Sequence, residues 1–280
     1  MATFGGRWTR EKLEILERYL KAYARVMKNQ PFHTIYIDAF AGTGTWQPNS
    51  GYLPEDYQDY KELLKGSAAL ALDIRDRAFD RLVFVEQDKD RSAELRALAA
   101  EHPKRHVDVI AEDANQVLPR LCQRMTPLDR AVVFLDPYAT QVAWATVEAI
   151  AKTQKIDCWI LFPLMAITRM MPRASAPDPS LEPRLNRVFG GSEHWKEIYH
   201  EKRQLSYFDK GPEFERDPGS KLIAASYRLR LESVFLRVAP TRRTFENSMN
   251  SSIFELFFAA SNPVGSDTAI EIADHILRNW

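Results

Sequence analysis

The 280-residue sequence has little of several features that would place a protein quickly. It has no net charge, with 38 basic against 38 acidic side chains, so no global field draws it onto nucleic acid, and such binding would need a local patch. It has no apolar run long enough to span a bilayer: the best, Trp159 to Ile167, is short and broken by Pro163. The opening MATFGGRWTREK holds no apolar stretch of the kind a secretory signal needs, so none is expected. Cysteine is nearly absent. Cys122 and Cys158 fall in segments that read as buried helix and strand, and are expected as two reduced thiols of a cytoplasmic protein rather than as a cystine. Histidine gives no metal signal, because His102 and His106 are separated by Pro103 and the start of a strand; no metal is expected. A GxSxG nucleophile elbow, internal repeats and low-complexity tracts are also missing.

What is present is a core. At 45% apolar and 27% charged, the chain is long enough to bury one and too apolar to be disordered, and it reads as a single domain over 1–280. Residues 9–28 form an amphipathic helix with Leu13, Leu16, Leu20, Tyr23 and Met27 on one stripe, Thr9 as N-cap and Pro31 as stop. From 34 to 164 short apolar runs alternate with helical patterns. The runs are Thr34–Phe40, Arg81–Asp88, His106–Asp113, Ala131–Tyr138 and Asp157–Leu164; between them lie helices over Ser67–Ala78, Lys89–Glu101, Asn115–Met125 and Trp144–Thr153. This alternation predicts an α/β fold with five parallel strands covered on both faces. A helical insertion or lid is expected over 165–217, then a helix over Ser220–Leu231 with Leu222, Ala225 and Leu229 on one side. Ser233–Ala239 and Ser252–Ala260 follow as an antiparallel pair, and a last helix covers Asp267–Trp280.

Four of the five strands carry an acid at the C-terminal end, where an open parallel sheet binds its ligands: Asp38, Glu86, Asp113 and Asp136. The first opens the turn Asp38-Ala39-Phe40-Ala41-Gly42-Thr43-Gly44, whose glycines allow positive φ and close approach of a ligand to the backbone. No GxGxxG follows, and an acid before the turn suits a cationic ligand better than a phosphate. Glu86 is placed for ribose hydroxyls, or is a solvated charge. Asp113 and the Ala114 amide are placed for an adenine edge, and either Asp113 or Asn115 also suits an N-cap. The segment 45–65, with Pro48, Asn49, Ser50, Gly51 and Pro54, reads as an inserted mobile loop. Residues 165–245 hold fifteen basic against ten acidic residues, interleaved with Phe189, Trp195, Tyr199, Tyr207 and Phe208. That mixture fits a nucleic-acid face, a helical lid or a protein interface.

Five parallel strands followed by a helix and an antiparallel pair resemble the Rossmann-like fold of class I S-adenosylmethionine-dependent methyltransferases. Within that resemblance Asp136-Pro137-Tyr138 matches in part the D/N-P-P-Y/F/W block of enzymes acting on exocyclic amines of bases, with one proline where they carry two. The chain also resembles the three-Cys-motif partner family. It does so through Lys12–Leu20 (KLEILERYL), Tyr36–Gly44 (YIDAFAGTG), Gly66-Ser67, Phe84-Val85-Glu86 and Phe134–Tyr138 (FLDPY), with Trp144, Leu161-Phe162-Pro163 and Phe189-Gly190 in the same order.

These resemblances imply a methyltransferase acting on nucleic acid. Asp38, Phe40, Ala41, Gly42, Gly44, Glu86, Asp113 and Ala114 would hold S-adenosylmethionine, and Asp136, Pro137 and Tyr138 would hold the nucleophile. The alternative is a non-catalytic subunit that binds S-adenosylmethionine and presents substrate to a separate three-cysteine, radical-SAM-like enzyme.

Overall fold

The computed structural model describes residues 7–44, 66–74, 79–201, 214–216, 219–247 and 249–280. The inserted loop expected over 45–65 lies outside the described residues, as do Tyr207 and Phe208.

Helix α1 (Arg7–Met27) leads into β1 (His33–Asp38); Thr9 therefore lies inside the first turn and is not the cap. Four more units follow: α2 (Ser67–Asp73) and β2 (Arg81–Val85), α3 (Lys89–Ala100) and β3 (Val107–Ile110), α4 (Ala114–Arg124) and β4 (Asp129–Leu135), α5 (Trp144–Lys152) and β5 (Ile156–Phe162). The five strands are parallel in the order β3-β2-β1-β4-β5. The insertion contains α6 (Leu164–Met170), α7 (Glu182–Phe189), α8 (Glu193–Lys196) and a small ribbon of β6 (Tyr199–Glu201) with β7 (Phe214–Arg216). Helix α9 (Lys221–Val234), β8 (Arg237–Val238), β9 (Arg243–Glu246), β10 (Ser252–Ala260) and α10 (Ser266–Arg278) complete the chain.

The C-terminal strands depart from a simple pair. Strand β10 runs antiparallel beside β5, and its far edge holds two short strands, with Val238 opposite Ala259 and Arg243 opposite Leu256. Pro240 sits between them; lacking an N–H, it cannot continue a ladder, so one edge strand is split in two. Helix α9 also turns the other way from the sequence expectation. Ile223, Ala224, Tyr227 and Leu231 face the core, a larger apolar stripe than the rival one, while Leu222 and Leu229 are exposed.

Period-two alternation along the strands builds two cores. Ile35, Ile37, Val133, Ile160 and Phe162 pack under α4, α5, α7 and α9. Tyr36, Val132, Phe134, Trp159 and Leu161 pack under α1, α2 and α10. The α1 stripe meets the second core as its spacing requires: Leu13, Leu16, Leu20, Tyr23 and Met27 are all buried. Cys158 is buried in β5 and Cys122 is half-buried in α4, both as free thiols.

Candidate active site

The carboxyl ends of the parallel strands open onto a cleft of about 560 Å³, ample for a nucleoside-sized ligand. The turn after β1 forms its floor. The Ala39 amide donates to the Phe134 carbonyl at 3.1 Å and the Ala41 amide to the Val85 carbonyl at 3.0 Å, so both neighbouring strands hold the turn. Gly42 and Gly44 have φ of +60° and +74°. Their roles differ. A Cβ on Gly42 would meet open space, leaving its backbone bare to the cleft, whereas one on Gly44 would stand 2.7 Å from Leu98. Gly44 therefore serves the approach of α3 to the turn.

Of the expected site residues, Phe40, Gly42, Glu86, Asp113, Ala114, Asp136 and Tyr138 line the cleft. Asp38, Ala41, Gly44 and Pro137 do not. Asp38 shares parity with Tyr36, so its side chain turns under α1 and α2 and is wholly buried, not presented to a ligand. Burial pushes its carboxyl up to about 7; the nearby Asp136 adds to the rise, and Ser67, the Phe40 amide and Lys12 oppose it. Ala41 and Pro137 are buried within their turns.

Glu86, just after β2, is buried and already engaged. Its Oε2 accepts from the Gly42 amide at 3.1 Å, and its Oε1 accepts from the Asp88 amide at 2.9 Å and pairs with Arg91 at 3.1 Å. Asp113 caps α4, accepting from both the backbone and the side-chain amide of Asn115 at 2.9 Å. It still lines the cleft, so the capping and ligand-facing readings coexist.

The block after β4 is held rigidly. Asn115 donates to the Gln141 carbonyl at 3.0 Å and accepts from the Ala143 amide at 2.8 Å and the Thr146 hydroxyl at 3.0 Å. Gln141 in turn accepts from the Tyr138 amide at 2.9 Å. Ala139 is left in the left-handed region at φ +61°, a strained conformation for a residue with a side chain. The result is a Tyr138 ring 80% exposed at the rim of the cleft, beside Asp136. Large aromatic rings are more often buried, and this one is left open to the cleft.

Three contributors, Lys12, Arg91 and Arg187, were not singled out in the sequence, and Asn115 was read only as a possible cap. Lys12 on α1 pairs with Asp136; it continues the i, i+4 row Lys12–Leu16–Leu20, which is the signal that would have found it. Asn115 follows the cap Asp113, and Arg91 lies in the first turn of α3, whose cap Asp88 had not been read as one. Arg187 of α7 reaches the cleft from the insertion, with no ion-pair partner among the described residues.

The rest of the basic segment is less available than its composition suggested. Arg228 and Glu232, Arg237 and Asp267, and Lys196 and Glu182 pair internally, Arg230 donates to the Phe189 carbonyl, and Arg216 is buried. Phe189 and Trp195 are buried core residues, and the Tyr199 hydroxyl donates to the Pro172 carbonyl, so these three rings are not a stacking face. Arg169, Arg184 and Arg187 are exposed and form no ion pair among the described residues.

The parallel strands β3-β2-β1-β4-β5, the antiparallel β10 beside β5, and the rim of strand-end acids decide the architecture. The fold is Rossmann-like, with a parallel sheet and an antiparallel strand arranged as in class I methyltransferases. Among solved structures, the protein LPL1258 of Legionella pneumophila aligns over 98% of this chain and 94% of its own, at 13% identity and a TM-score of 0.55. Trm1 of Pyrococcus horikoshii, solved with S-adenosyl-L-methionine, aligns over 98% of this chain and 72% of its own, at 10% identity and a TM-score of 0.40. The putative methyltransferase YhhF of Escherichia coli aligns over 71% and 86%, at 15% identity and a TM-score of 0.33. No family model matches the chain, and no curated protein matches it in sequence. No helix among the described residues is long and apolar enough to cross a membrane.

Proposed function

We propose that the protein is an S-adenosylmethionine-dependent methyltransferase acting on an exocyclic amine of a nucleic-acid base. The observation that carries the reading is the Tyr138 ring, 80% exposed at the cleft rim beside Asp136. The donor set of the cleft suits the cofactor. Glu86 and Asp113 offer carboxylates to hydroxyl and amino groups, the bare backbone at Gly42 admits close contact, and the acidic lining favours a cationic ligand. Bound there, the cofactor supplies an activated methyl group on a sulfonium.

The protein's own residues would do the rest by placement. Asp136 accepts from the N–H of the target amine and fixes the direction of its lone pair, and Tyr138 stacks on the base. Arg187, at the edge of the cleft, would meet a phosphate. The experiment is incubation with labelled S-adenosylmethionine and fractionated tRNA, rRNA, DNA and protein. Label in a nucleic-acid fraction, lost with Asp136→Ala, supports the reading; label only in protein overturns the base as target.

The partner-subunit reading keeps one specific support. Asp136 and Glu86 are both ion-paired within the chain, as binding groups of a presenting subunit would be. The link to a three-cysteine, radical-SAM-like enzyme rests on the order of motifs from Lys12 to Gly190. Transfer by the isolated protein would set this reading aside.

A further inference from the structure

Lysine is rarely buried unless it is paired. Lys12 is the one lysine in the buried class among the described residues, at 5% exposure. It sits on the face of α1 that otherwise carries Leu13, Ile15, Leu16, Tyr19 and Leu20, all buried. Its ammonium lies 5.3 Å from the Trp8 ring centroid and 5.8 Å from that of Phe134, and it donates to Asp136 Oδ2. An apolar side chain would fill this place at lower desolvation cost, so the charge is there for Asp136.

The partner carboxylate has two oxygens. Only Oδ2 is taken by Lys12, and Asp136 keeps 21% of its side chain exposed on the cleft. Asp38 stands behind the pair, wholly buried, its hydroxyl neighbour Tyr36 at 3.4 Å from Oδ2. Three titratable side chains from α1, the end of β1 and the end of β4 thus meet behind one corner of the cleft, and only Asp136 reaches it.

Building on the methyltransferase reading, we propose that Lys12 is a positioning residue of the transfer site, which anchors Asp136 by Oδ2, turns Oδ1 to the target and selects a neutral amine as acceptor. The selection follows from charge. The Lys12 ammonium already balances Asp136, so a protonated lysine or arginine side chain arriving at Oδ1 would meet a second cation, whereas the uncharged amino group of a base would not. The N-terminal helix is then a working part of the site, and its packing serves to seat one ammonium.

The test compares wild type with Lys12→Met, Lys12→Gln and Lys12→Arg in the full chain, with folding checked by circular dichroism. The first readout needs no turnover: the Asp38 carboxyl is titrated by carbon-13 NMR, its signal assigned by loss in Asp38→Asn. The groups facing it are Tyr36, Ser67, Lys12 and Asp136. Loss of the Lys12 charge should raise its midpoint above that of wild type measured alongside, and Lys12→Arg should return it. The second readout is transfer to the nucleic-acid fraction that wild type labels. Lys12→Met and Lys12→Gln should lower kcat at least tenfold with S-adenosylmethionine affinity within twofold, and Lys12→Arg should recover most of the rate. An unmoved Asp38 midpoint, or an unchanged kcat in the neutral variants, overturns the role of Lys12 while leaving the methyltransferase standing. A wild type that methylates lysine or arginine side chains overturns the selection. A wild type that transfers to nothing brings down the methyltransferase reading, and the Lys12 role with it. If Lys12→Met does not fold, Lys12→Gln, which keeps a donor of similar reach without the charge, decides.

Discussion

Glu86 offers the sharpest perturbation, because its carboxylate is asked to serve two masters. It accepts from the Gly42 amide at 3.1 Å and the Asp88 amide at 2.9 Å, and it pairs with Arg91 at 3.1 Å. If a ribose diol is to bind there, the two backbone bonds can stay, since a carboxylate has about four acceptor directions. Arg91 has to yield. Its side chain is 53% exposed, so the pair it forms is worth about 0.2–1 kcal/mol and is readily exchanged. Glu86→Ala removes charge-assisted bonds to the ribose and frees the glycine turn, which should weaken S-adenosylmethionine binding by about 1–3 kcal/mol, roughly 5- to 150-fold in Kd. Arg91→Ala removes only the competitor and should tighten binding by up to about fivefold. Calorimetry on the two variants reads these opposite signs directly. An unchanged Kd in Glu86→Ala, or weaker binding in Arg91→Ala, would refute the assignment of Glu86 to the ribose.

Other outcomes are expected from single changes. Asp136→Ala should abolish methyl transfer while S-adenosylmethionine affinity, measured by calorimetry, stays within a few-fold. Tyr138→Ala should cost roughly 1–3 kcal/mol in kcat/KM if the ring stacks on a base, with Tyr138→Phe nearly silent; full activity of the alanine variant on a base substrate removes the stacking role. Gly44→Ala should destabilise the fold by about 1–3 kcal/mol in urea unfolding, because its Cβ would stand 2.7 Å from Leu98 at a φ of +74°. Asp157 is buried, accepting from the Tyr19 hydroxyl at 2.8 Å, and burial pushes its carboxyl up to about 7, against the hydrogen bond from Tyr19. A carboxyl raised on folding favours the folded state most when protonated, so its contribution is present below about pH 4 and is lost as pH rises to 7, by up to about 4 kcal/mol. Asp157→Asn should therefore gain on wild type as pH rises from about 4 to about 7, and a constant difference across that range would contradict the account.

The parallel sheet was legible because its strands are short apolar runs closed by acids, and the observed strands fall within one to three residues of those runs. Nothing local announced the split edge strand: Arg243–Glu246 is polar and four residues long, and only its pairing with β10 makes it a strand. Helix α9 carries two rival apolar stripes, and tertiary packing selects the one that contains Tyr227. At the site, the residues directly after strands β2, β3 and β4 were readable from position alone. Asp38 was readable too, but its parity with Tyr36 argues for the layer beneath α1 and not for the cleft. Lys12 was hidden by distance, since a partner 124 residues away leaves no mark in the helix except a cation on an apolar row.

The division of acids between the two sides of the rim bears on how such a site would work. Glu86, Asp113 and Asp136 face the cleft, and each holds part of its own scaffold: the glycine turn, the start of α4, the α1 lysine. Each carboxylate is therefore oriented before any ligand arrives, and binding would not have to freeze it. Pre-set dipoles and charges act most strongly where they need not reorganise during reaction. Methyl transfer to a neutral amine asks little bond-making chemistry of the protein and much alignment. On the proposed function, the Asn115–Gln141 clamp on the Tyr138 turn and the Lys12 anchor on Asp136 would serve that alignment. Loosening either should then cost rate before it costs cofactor affinity, which is the pattern that separates an enzyme from a binding subunit.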